Sequence, residues 1–250
     1  MRGSELFRNQ VSHEGLKAVA HELDPIFHPK SVAVVGASER TGVGRTLLLS
    51  LVKNPFGGIV YPVNNRRKAV LGIRAYPSMT SLPEVVDLAI LVIPARFVPA
   101  VVRECTELGV LGCIIISAGF AEMGEPGLAL EREIMSYAVP AHMRIIGPNC
   151  LGVMTPHVGL NATFASSMAI KGNIAFCSQS GALCTSMLDY SQVCDVGAVQ
   201  LSSVQLEASV HCCSIHFFLV CSRQFLLLSP TFPPVLAHSF HLPLACSPLF

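Results

Sequence analysis

The chain has 250 residues, 17 Lys and Arg against 16 Asp and Glu, a net charge of +1 and only 13% charged residues. That length holds one large domain or two small ones with a buried core. So even a charge balance gives no electrostatic reason for a nucleic-acid or membrane-surface partner, and no uninterrupted apolar run of about 18 residues points to a membrane span.

Residues 1–22 include His13, Glu14 and Lys17 and lack an apolar run, so they do not read as a secretory signal. Arg2, Arg8 and Lys17 leave an organellar leader open beside the default cytosolic location. The ten cysteines contain no CxxC pair and no Cys/His spacing suited to a metal. Buried, reduced thiols are therefore expected, as in a reducing compartment.

From residue 31 to 147, apolar runs alternate with amphipathic ones. The segments 31–37, 58–63, 86–94, 112–120 and 143–149 are rich in Val and Ile without polar alternation, as strands buried on both faces are. Helices are predicted over 43–53, 96–108 and 127–139, the second stopped by Gly109. The connection from Asn64 to Val85, broken by Pro77 and Pro83, is less regular. Strands and helices alternating at this spacing imply a parallel α/β sheet with right-handed crossovers.

Ligands bind such sheets beyond the carboxyl ends of the strands, so the residues after each strand carry the argument. The first strand runs into Gly36, Ser38, Arg40, Thr41, Gly42 and Gly44, and a helix follows. A glycine turn at a helix N-terminus, with hydroxyl and guanidinium donors, suits a phosphate. The spacing is not GxGxxG, which argues against NAD. After the second strand come Asn64, Arg66, Arg67 and Lys68 instead of the acidic residue that holds a free ribose 2′-hydroxyl. A ligand with an extra phosphate, such as coenzyme A or NADP, fits better; Arg67 and Lys68 taken alone read as a solvated turn. Ile93, Pro94 and Ala95 offer an apolar wall, and Asn149, read as buried, needs polar partners. Cys150 lacks a nearby histidine base, so it is a lining residue; no residue is assigned a catalytic role, and no metal site is expected.

Together, VAVVGASERTGVGRTLLLSL, GIVYPVNNR, IIISAGFAE, IIGPNCLGV, GLNATFA and GNIAFCSQSGALCTSMLDY stand in an order that resembles the NDP-forming acyl-CoA synthetases over residues 23–197. The likeness is to the N-terminal part of the ADP-forming acetyl-CoA synthetases, relatives of the succinyl-CoA synthetase alpha subunit. It implies an α/β fold: a Rossmann-like CoA-binding domain over 23–151 and an incomplete, flavodoxin-like second domain over 152–197. An N-terminal extension, 1–22, and a hydrophobic tail, 198–250, flank them. The resemblance assigns Ser38, Arg40, Thr41, Gly42 and Gly44 to phosphates and sets Arg66 where the family commonly has lysine. Ile93, Pro94 and Ala95 would flank the nucleotide, with Asn149 and Cys150 near the thiol. Ser178, Gln179, Ser180 and Gly181 would open the helix that faces a phosphohistidine.

The implied reaction is acyl-CoA + phosphate + ADP ⇌ carboxylic acid + CoA + ATP. ATP, ADP and Mg enter it only through an ATP-grasp part, in some members a separate beta subunit. This sequence has no Ser-His-Thr-Gly segment for the histidine. The resemblance therefore implies a chain truncated early in the second domain and inactive alone. After residue 197 the pattern stops: residues 198–250 carry only Glu207 and Arg223 as charges. From Phe217 to Phe250, 23 of 34 residues are Phe, Leu, Ser or Pro, the residues of pyrimidine-only codons. The tail therefore reads as translated intron or a shifted frame, irregular and not continuing the fold. A non-catalytic CoA or acyl-CoA module and an NADP-dependent Rossmann enzyme are the competing readings.

Overall fold

The computed structural model describes residues 22–194, 197–203, 217–221 and 224–228. The extension up to residue 21 and the tail histidines, His211, His216, His238 and His241, lie outside these residues.

A five-stranded parallel sheet forms the first layer, built from β1 (Ser31–Val35), β2 (Ile59–Val63), β5 (Leu88–Leu91), β6 (Gly112–Ile115) and β7 (Arg144–Ile146). Its order is β2-β1-β5-β6-β7, all neighbours parallel. Helices α1 (Val43–Lys53), α2 (Val98–Leu108) and α3 (Glu125–Ala138) connect the strands. The Asn64–Val85 connection contains a short antiparallel pair, β3 (Ala69–Val70) and β4 (Ile73–Arg74). The missing polar alternation in the central strands has its cause in the layers. Val32 and Val34 of β1 join Leu47, Leu48 and Leu51 of α1 on one side. Ala33 and Val35 join Val98, Val102 and Cys105 of α2 on the other.

Every strand of this layer is shorter than its apolar run. The 86–94 run is strand only over Leu88–Leu91, and 112–120 only over Gly112–Ile115. Beyond those points the chain leaves the sheet, Val92 N–H bonding Val35 O at 2.8 Å and Ile116 N–H bonding Leu91 O at 3.1 Å. Several of those surplus apolar residues, Val92, Ile93 and Ile116 among them, line hollows at the carboxyl ends of the strands.

The second sheet was not foreseen in this form. It has the order β13-β12-β10-β11-β8-β9, with β8 (Gly152–Thr155), β9 (Leu160–Thr163), β10 (Lys171–Ser178), β11 (Ala198–Ser203), β12 (Phe217–Cys221) and β13 (Gln224–Leu228). Helix α4 (Gly181–Cys194) packs on it. The expected strand at 172–178 and its helix are present, but the β8–β9 hairpin precedes them. Its two faces serve different cores. Val153, Leu160 and Ala162 join Leu47, Leu48 and Leu51, whereas Met154 joins Phe176, Cys184, Leu188 and Leu201. The second unit thus has a small buried core of its own and shares a wall with the first. Residues 217–221, expected with 224–228 to lie outside the fold, pair antiparallel with β10, and 224–228 pair antiparallel with 217–221. An edge strand exposes a row of unpaired amides, and a short apolar run can occupy it.

Candidate functional site

In the order β2-β1-β5, the chain leaves β1 to one side and β5 to the other, so their carboxyl ends part and leave a crevice. A cleft of about 730 Å³ occupies it, lined by Gly36 and Ser38 after β1, Asn64 and Arg66 after β2, and Ile93 and Pro94 after β5. Six of the expected residues thus meet in one place.

The crevice can be this tight only because Gly36 has no side chain. Its φ is +94°, and a Cβ there would stand 2.1 Å from the Val92 carbonyl oxygen. Gly44 lets α1 approach the same turn, since its Cβ would lie 2.4 Å from the Gly36 oxygen. No side chain caps α1, and its first turn carries no acidic residue, so its positive end is left to other groups. Arg40, Thr41 and Gly42 are exposed at the loop tip, on the rim and not in the lining. Ser38 Oγ accepts the Arg40 amide at 3.0 Å, which folds the tip back on itself.

Asn64 is a brace. Its Nδ2 donates to Ala37 O at 2.8 Å, and its Oδ1 accepts the amides of Arg66 and Arg67 at 2.8 and 3.0 Å. Both ends of the amide are used inside the protein, tying the first loop to the second. Arg67 pairs with Glu39 at 2.6 Å, consistent with its reading as a surface cation. Arg66 is in no ion pair among the described residues and lines the cleft.

A second hollow, about 600 Å³, shares the wall Val92, Ile93 and Pro94 and runs toward the start of α4. Asn149, Cys150 and Gly181 line it, together with Val43 and Phe164. Asn149 was expected to be buried; it is exposed, in the left-handed region at φ +53°, after a cis Gly147–Pro148 peptide. Asparagine tolerates that conformation, and its backbone N–H donates to Ser117 O at 3.0 Å, which leaves the side chain to the hollow. Cys150 is buried, its Sγ 3.3 Å from Ile115 O, and burial pushes its thiol up to about 12. So protonated a thiol is a wall, not a nucleophile.

Of the four residues at the start of α4, only Gly181 lines the hollow. Ser178 Oγ accepts the Ser180 amide at 3.0 Å, and Ser180 Oγ accepts the Leu183 amide at 3.3 Å, a helix cap. Gln179 is exposed, and Ala95 packs on Gly119 outside both hollows. Sequence reasoning missed Arg96 and Phe97 in the first cleft and Phe164 in the second. A cation and an aromatic directly after an Ile-Pro-Ala strand end were the available signal. Among the described residues no cluster of His, Cys, Asp or Glu could hold a metal ion, and no helix is long and apolar enough to cross a membrane.

Residues 30–156 match the family model of a CoA binding domain. The alpha subunit of acetate–CoA ligase (ADP-forming) II from Pyrococcus furiosus is 46% identical over 183 residues, 73% of this chain and 40% of that protein. Acetate–CoA ligase (ADP-forming) I from Archaeoglobus fulgidus is 44% identical over 187 residues, 74% of this chain and 27% of that one. Among solved structures, the dinucleotide-forming acetyl-coenzyme A synthetase 1 of Ca. Korarchaeum cryptofilum superposes with a TM-score of 0.71 at 35% identity, over 76% of this chain and 41% of that one. The chain therefore spans less than half the length of these relatives.

Proposed function

The chain belongs to the CoA-binding domain family, and we propose that it holds coenzyme A across the two hollows as the CoA-binding portion of an ADP-forming acid–CoA ligase. The observation that carries this is the shared wall Val92, Ile93 and Pro94, with a cation-lined cleft on one side and, on the other, a hollow that reaches Asn149, Cys150 and Gly181. A ligand with a phosphorylated nucleotide at one end and a long thiol arm at the other fits that layout.

In this reading the Gly36–Gly44 turn and the open end of α1 hold the diphosphate, with Arg40 and Thr41 closing over it from the rim. Arg66 adds charge from the second loop, and the pantetheine arm crosses Ile93 and Pro94 to bring its thiol near Asn149. The start of α4 at Gly181 faces that end, where an acyl phosphate would meet the thiol. No residue of this chain takes a catalytic role. Phosphoryl transfer falls to a phosphohistidine segment outside this sequence and to an ATP-grasp part, in some members a beta subunit, that brings ADP, ATP and Mg; this sequence alone binds without turnover. Such work belongs in the cytosol, where buried free thiols such as Cys113 and Cys150 persist.

Calorimetric titration of the full chain with CoA, with NADPH as control, tests the reading. Saturable CoA binding, weakened about tenfold or more by an Arg40→Ala, Arg66→Ala double substitution, is expected, the loss of charge-assisted contacts. Tighter binding of NADPH, or no CoA binding by folded protein, would overturn it.

A further inference from the structure

Resting on that reading, we infer that Arg96, which lines the same cleft as Arg66, is a specificity-determining cation that selects adenosine ligands carrying the extra ribose phosphate. The two arginines enter the same cleft from different loops, Arg66 from the turn after β2 and Arg96 from the turn between β5 and α2.

Three observations bear on them. Arg67, Arg103, Arg132 and Arg144 are each paired with a carboxylate, at Glu39, Glu107, Glu125 and Glu22, and of the arginines without an ion pair among the described residues only two line the cleft. Arg66 and Arg96 line the cleft and are in no ion pair among the described residues. Neither charge is therefore spent inside the protein. Second, Arg96 is oriented without being neutralised: its guanidinium lies over the Phe97 ring, 4.7 Å from its centroid, while the turn that carries Arg66 is fixed by its backbone N–H donating to Asn64 Oδ1 at 2.8 Å. A ring face orients a guanidinium while leaving its in-plane N–H donors free for an anion. Third, the carboxylate in the cleft lining, Glu104, accepts the Thr80 amide through Oε1 at 2.8 Å and pairs with neither arginine among the described residues.

The diphosphate already has the glycine turn and the open end of α1. A second pair of cations, on loops away from that turn, is then surplus unless the ligand carries another phosphate. Guanidinium groups approaching one phosphate from two sides can each donate two N–H bonds to it. The ligand class is a nucleotide phosphorylated on its ribose, of which CoA is the member the function reading names.

The full chain is titrated with CoA, dephospho-CoA and adenosine 3′,5′-bisphosphate, as wild type, Arg96→Ala, Arg96→Lys and Phe97→Leu, each checked for an unchanged circular dichroism spectrum. Wild type is expected to prefer CoA over dephospho-CoA about tenfold, the worth of a charge-assisted contact. Arg96→Ala should abolish that preference by weakening CoA and the bisphosphate while leaving dephospho-CoA unchanged. Arg96→Lys and Phe97→Leu should each give an intermediate preference, one losing the fork and the other its support. Equal loss for CoA and dephospho-CoA in Arg96→Ala, or no preference in wild type, overturns the selectivity while leaving the CoA site standing. Failure of folded wild type to bind any of the three overturns the function reading itself, and this inference with it.

Discussion

At the level of single residues, chemistry is decided by what surrounds each group. Burial pushes the Cys150 thiol up to about 12, and Cys113, fully buried, is raised well above its ordinary value by desolvation first and by Cys105 and Cys150 after it. Since the thiolate is the nucleophile, iodoacetamide at pH 8 should label exposed Cys194 in the native chain while Cys113 and Cys150 react only after unfolding, as peptide mass spectrometry would show. Rapid labelling of Cys150 in folded protein would contradict its place in the wall. Glu122 behaves oppositely. Desolvation would raise it, but the backbone N–H groups of Gly119, Glu122 and Phe120 outweigh that and hold it below the usual carboxylate range. Ionised Glu122 therefore stabilises the fold above its unfolded pKa, and that contribution is lost as pH falls through its lower native value. The residue is exposed, so Glu122→Gln should cost less than about 1 kcal/mol at pH 7. Urea titrations should show the gap closing in acid; a gap independent of pH would mean the N–H bonds do not discriminate the charged form. Asn149 shows the limit of residue-scale sequence reading. Its glycine and proline neighbours announced a special backbone, but which way the side chain faced depended on a left-handed φ that no pattern encodes.

Elements were legible where packing on both faces erased polar alternation, as in 31–35 and 88–91, and where an amphipathic face met a glycine stop, as in Val98–Leu108 before Gly109. Their ends were less so, because Val92 and Ile116 stay apolar after leaving the sheet. The β8–β9 hairpin escaped notice for a related reason. All eight of its strand residues are buried, so Gly152–Thr155 and Leu160–Thr163 lack the alternation that marks a hairpin with one wet face. Among candidate site residues, Gly36, Ile93 and Pro94 line the cleft because they directly follow strands. Asn64 lines it too, and its bracing of two loops was not legible, since an amide bonded to the backbone has the same sequence signature as one facing a ligand. The junction of β1 and α1 carries the sharpest test at this scale. Gly36→Ala would force a Cβ against the Val92 carbonyl at a φ that alanine disfavours, and should cost about 3 kcal/mol or more. Thermal or urea unfolding measures this; a loss under about 1 kcal/mol would mean the β1–β5 separation adapts easily and the crevice is not rigid.

For the whole molecule, the question is whether the two sheets open together. The first sheet is covered on both faces by large buried clusters, whereas the second unit's own core is limited to residues such as Leu151, Met154, Phe176, Leu188 and Leu201. Local stability follows buried apolar contact, so the second sheet should open at lower free energy than the first. The hairpin makes this testable residue by residue, because Val153 and Met154 are neighbours in sequence that face different cores. Met154→Ala removes a fully buried side chain from the smaller core, a change of about 2–5 kcal/mol in comparable sites. Hydrogen exchange followed by mass spectrometry should then show amides of Lys171–Ser178 exchanging much faster while those of Ser31–Val35 keep their protection. Val153→Ala should instead lower protection in both, since the wall it leaves supports α1 directly. If Met154→Ala accelerated exchange in β1 as much as in β10, the two sheets would form one cooperative unit, and the hollow between Pro94 and Gly181 would be as rigid as the cleft beside Gly36. If the separation holds, the lining around Gly181 can move relative to a fixed cleft at Gly36, so the two hollows differ in rigidity although they share a wall.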